Sequence, residues 1–152
     1  MRQEEKELLI KDLCARLPYD VEAQVFNNIE GVSKPVVVNK PVTFNDVDAF
    51  VKDDVVIDIK PYLRPMSSMT EDEKQELKNA IYFGYPSDDY DKYGHRGIEV
   101  ANVRYDDWKN IEFDFEEFCQ LEDWLNAHHF DYRGLIKRGL ALEAPVEMYK
   151  NE

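Results

Sequence analysis

The longest amphipathic pattern in the chain runs from Phe113 to Pro145. Read as a helix from Phe115, it places Phe118, Leu121 and Leu125 within one narrow arc. Phe115 and Trp124 lie on the flanks of that arc, and Glu116, Gln120 and Asp123 lie opposite. Asp114 and Glu117 have the spacing of a reciprocal N-terminal cap. A short second helix is expected over Tyr132–Arg138, ended by Gly139 in a left-handed conformation. This stretch is the expected hub of the fold.

Elsewhere the period changes along the chain. Leu9, Ile10, Leu13, Cys14 and Leu17 form one stripe of a first helix over Met1–Leu17, supported by the pairs Glu7–Lys11 and Asp12–Arg16 and stopped by Pro18. Asp20–Phe26 then alternates, with Val21, Ala23 and Val25 on one face, as a half-buried strand does. Pro35–Val38, Val42–Phe44 and Val55–Ile59 are β-branched runs, read as three further strands or as two strands and an edge because Pro41 interrupts them. After the irregular Lys60–Thr70, Thr70 and Glu73 form a capping box that opens a helix with Leu77, Ala80 and Ile81 inward. Tyr85–Gly97 reads as a polar surface loop, and Ile98–Val103 as a last strand.

Because strand-like and helix-like periods fall in separate blocks, the expected class is α+β, with a small antiparallel sheet packed against an N-terminal helix and the C-terminal hub helix. Leu63, Met66, Trp124, Leu125, Phe130, Tyr132, Leu135 and Leu140 are expected to form one cluster, with Arg64 or Arg133 bonded to nearby carbonyls or carboxylates. A length of 152 residues is most simply a single domain over 1–152, large enough to bury roughly 70% of its unfolded surface without cross-links or metal. Cys14 and Cys119, each within a helix pattern, fit buried thiols in a reducing compartment, and no apolar run is long enough to cross a bilayer. A cytoplasmic location and no membrane association are therefore expected.

A net charge of −13 disfavours direct binding to nucleic-acid phosphates or anionic membranes. Eight carboxylates crowd into Asp106–Asp123 against the single Lys109. Mimicry of DNA is one way such a region works, but duplex DNA presents roughly 18 charges over a footprint of about 30 Å, more than this region supplies.

Candidate chemistry is sparse. Asp89, Asp91 and Gly94 take the first, third and sixth places of a calcium loop, but Tyr93 stands at the fifth place and Glu99 falls one residue early. Gly94–Gly97 matches the GxxG of a backbone-clamping loop, which in an acidic chain says little. His128 and His129 are adjacent, so on a helix they diverge by about 100° and do not chelate one ion together. A Cys119 nucleophile paired with His95 has no local signature. No catalytic residue, metal or cofactor is assigned. Tyr85, Tyr90, Tyr93, Arg96, Arg104, Tyr105 and Trp108 instead make a candidate protein-binding surface of aromatic and arginine side chains.

Three segments carry a resemblance. They are Leu17–Val21; Lys60–Thr70 with the acidic helix start that follows; and Trp124–Ile136 continued by Gly139–Pro145. Together they resemble a family of uncharacterised proteins from phages and mobile elements of gut anaerobic bacteria. Asp20 stands where that pattern has Gly, which bears on the tight turn there. In the expected α+β packing the motif residues Tyr62, Arg64, Trp124, His128, His129, Tyr132 and Arg133 have a structural role, while the resemblance implies a mobile-element origin and brings no catalytic residue with it. It implies a small accessory protein whose partner is a host or phage protein. An acidic DNA mimic that inhibits a host nucleic-acid-binding or defence enzyme, and a small enzyme with a His/Cys/Asp site, are the alternative readings.

Overall fold

Leu9 and Leu13 sit one turn apart on α1 (Gln3–Arg16), and with Asp12 and Arg16 they form its buried side. The structure, a computed structural model, describes residues 1–81 and 115–150. The stripe is therefore phased differently from the apolar reading: Cys14 is exposed, and the buried positions at its expense belong to an ion pair. Arg16 Nε and Nη2 donate to the two oxygens of Asp12 at 2.8 and 3.1 Å with both side chains fully enclosed. Such a pair balances desolvation by geometry rather than adding much stability.

A 3₁₀ turn at Leu17–Tyr19 ends in Asp20, whose φ of 51° completes the tight turn without a glycine. The chain then enters β1 (Glu22–Asn27), flanked by β2 (Val36–Pro41) and β3 (Val56–Leu63), both antiparallel to it. Val21, Ala23 and Val25 point inward as their alternation predicts. Between β2 and β3 lies α2 (Phe44–Val51), where the β-branched Val42–Phe44 suggests a strand. Val42 does reach the sheet, its N–H donating to the Val21 carbonyl at 2.9 Å. Thr43 then turns the chain, because its hydroxyl accepts from the Asp46 N–H while the Asp46 carboxylate accepts from the Thr43 N–H. Thus β2 and β3 run parallel to each other with β1 between them, joined through α2.

The sheet order is β2-β1-β3-β4, and β4 (Leu142–Glu143) pairs with β3 in parallel. The sheet is therefore mixed, not wholly antiparallel as expected. The parallel rung reflects the return of the chain from far along the sequence rather than through a hairpin. Leu9 and Leu13 of α1 and Val47 and Phe50 of α2 join Val21, Ala23, Val25, Ile59 and Leu63 in one apolar core, completed by Leu135, Leu140 and Ala141. The ladder register that sets Ala23 against Pro61 would next oppose Glu22 and Tyr62. There the Tyr149 hydroxyl intervenes, accepting from the Glu22 N–H at 3.1 Å and donating to the Tyr62 carbonyl at 2.8 Å.

These elements belong to one compact unit, Met1–Leu63 with Leu135–Glu152; Arg64–Gly134 forms a second. In the second unit, α3 (Glu71–Ile81) packs against α4 (Phe115–Ala127), the hub helix of the sequence pattern. Met69, Leu77, Leu121, Trp124, Leu125, Phe130 and Tyr132 are buried there. The eight residues expected in one cluster are thus shared out. Leu63, Leu135 and Leu140 belong to the sheet core, Trp124, Leu125, Phe130 and Tyr132 to the second unit, and Met66 is half-buried. Tyr132–Arg138 forms turns rather than a helix, although Gly139 does take the left-handed conformation, at φ 73°. The strand expected at Ile98–Val103 and the cap at Asp114 lie outside the described residues.

Candidate functional site

Of the residues singled out as a protein-binding surface, Tyr85, Tyr90, Tyr93, Arg96, Arg104, Tyr105 and Trp108 all lie outside the described residues, as does His95. The motif residues are described. Tyr62 lies in the sheet unit, where its hydroxyl accepts from Gln24 Nε2 at 3.0 Å and donates to Asn39 Oδ1 at 3.2 Å. The ring system thereby ties together the polar faces of β1, β2 and β3.

The other motif residues meet in the second unit. Trp124 stacks on His128 at 4.0 Å between ring centroids and on Phe130 at 5.8 Å, and the Arg64 guanidinium lies 4.2 Å over the Phe130 ring. A series of face contacts therefore joins His128, Trp124, Phe130 and Arg64. Both of its polar ends are held by α3. Arg64 reaches Glu73 through two hydrogen bonds of 2.6 and 2.7 Å, and His128 Nε2 lies 3.2 Å from Glu76, three residues further on. His128 Nδ1 lies 2.9 Å from the Trp124 carbonyl, so both ring nitrogens face acceptors. Burial raises the Glu73 carboxyl, and hydrogen bonds from Arg64 and Thr70 outweigh it, leaving the group below its ordinary value.

Why α4 stops where it does explains His129. Its N–H donates to Asn126 and the Phe130 N–H donates to Leu125, at 3.1 and 3.0 Å, which closes the helix on a residue at φ 61°. That residue is His129 itself, fully buried, whose carbonyl in turn accepts from the Arg64 N–H at 2.8 Å while the Asp131 N–H donates to the Arg64 carbonyl. Tyr132 donates to Asn126 Oδ1 at 2.9 Å, and Arg133 lies over the Tyr132 ring with Nη2 3.5 Å from Glu122. The expected bonding of Arg64 and Arg133 to carboxylates is present. In this unit the side chains of Arg64, Trp124, His128, Tyr132 and Arg133 all make packing or polar contacts with one another or with α3 and α4. Among the described residues no group of three or more His, Cys, Asp or Glu side chains is placed to hold a metal ion, and no helix is long and apolar enough to cross a membrane.

A different surface stands out in the sheet unit. β2 is an edge strand, and Val36, Val37 and Val38 remain 37%, 48% and 40% exposed. Val38 is opposite Val25 and so points to the side that carries the helices, as does Val36, while Val37 is opposite Phe26 and points to the other side. The helix layer stops short of β2, which leaves a strand apolar on both faces with an unpaired backbone edge among the described residues. Phe44, 71% exposed at the start of α2, follows directly beyond the strand's end. Three successive valines before Pro41 were a sign of this in the sequence, although β-branching alone does not distinguish an edge from a central strand. No protein-family model, no curated protein and no solved structure matches the chain.

Proposed function

We propose that this is a non-enzymatic, protein-binding accessory protein whose contact element is β2, to which another protein chain, of host or phage origin, adds an extended strand. The observation that carries this reading is the exposure of Val36, Val37 and Val38 on an edge that no strand pairs among the described residues. Native proteins blunt exposed edges with charge, proline or cover, because an open edge recruits other chains. Here proline flanks both ends of the valine run, at Pro35 and Pro41, and Lys40 is occupied with Asp46 at 2.8 Å, while Val36, Val37 and Val38 between them carry no charge. Strand addition would supply main-chain hydrogen bonds to the edge and side-chain cover to the valines.

The test is capture of partners from host lysate by the immobilised chain, run beside Val37→Lys. Position 37 is half exposed, so the substitution leaves the fold intact while placing a charge on the docking edge. Loss of a captured band with Val37→Lys supports the reading. Equal capture by both proteins refutes β2 as the contact element.

A further inference from the structure

No further inference is drawn: the strongest candidate, the sheet face turned away from α1 and α2 that carries Phe26, Val37 and the Tyr62–Asn39 hydrogen bond, is a surface for which nothing in the structure shows what covers it.

Discussion

Arg64 and Glu73 meet through two parallel hydrogen bonds, at 2.6 and 2.7 Å, while the same guanidinium lies flat over Phe130. One side chain thus fixes the start of α3, whose capping box also uses Glu73, to the segment that follows α4.

Removal of this contact should be costly in a way that charge alone does not repair. Arg64→Ala should lower stability by about 2–3 kcal/mol, since it leaves a half-buried carboxylate without its donors. Arg64→Lys should recover less than half of that, because an ammonium can neither fork onto Glu73 nor stack on Phe130. Urea denaturation gives both values, and equal midpoints for Arg64→Lys and wild type would falsify the role of the fork.

Acid should loosen the same contact. The Glu73 carboxyl is held below its ordinary value of 4.5, so its contribution is present above that pH and is lost as pH falls through the lower, folded-state value. Asp46, whose burial is outweighed by Lys40 and Thr43, behaves alike below its ordinary 3.8. Melting temperature followed from pH 6 to pH 3 should fall in this window, and Glu73→Gln should flatten part of the fall. An unchanged slope in Glu73→Gln means that the carboxylate does not contribute.

At the end of α4 the left-handed residue is a histidine. His129→Val should destabilise by about 1–3 kcal/mol, because a β-branched side chain at φ 61° crowds the backbone. Amide exchange at Phe130, whose N–H closes the helix on Leu125, should accelerate in the same variant. Wild-type protection of that amide would show the cap to be dispensable.

The Tyr149 hydroxyl completes the β1–β3 ladder where the strands part. Tyr149→Phe leaves the Glu22 N–H and the Tyr62 carbonyl without that bridge and should cost about 1–2 kcal/mol, with faster exchange at Glu22. A variant as stable as wild type would mean that water replaces the hydroxyl at no cost.

Much of this was legible beforehand. The alternation of Val21, Ala23 and Val25 marks β1, and the Thr70–Glu73 spacing marks the start of α3, because both signals are local. α2 escapes the same reading: its cap uses Asp46 in place of Glu or Gln, and Val42–Thr43–Phe44 looks like strand. Helix ends are hidden for a related reason. Asp53 after α2 and His129 after α4 make the same pair of closing hydrogen bonds as Gly139, but only the last announces itself by glycine. The phase of α1 is obscured because its buried face includes Asp12 and Arg16, which read as solvated residues until the pair is seen enclosed. β4, two residues long, is specified by its partner strand and carries no pattern of its own. Within the motif, the partnership of Arg64 with a carboxylate was foreseen. Its link through Phe130 and Trp124 to His128 depends on where α4 ends, which no spacing rule supplies.

The late return of the chain to β3 has a consequence for synthesis. Tyr149 lies 87 residues beyond Tyr62, with the whole of Arg64–Gly134 between the strands that β3 and β4 contribute. At ribosomal rates of roughly 5–20 residues per second, the nascent β1–β3 sheet waits about 4–17 s before β4 and the tyrosine emerge. Among the described residues, nothing pairs with the β3 side of the sheet until Leu142–Glu143 and Tyr149 have been made, so that margin waits for a segment about eighty residues further along the chain.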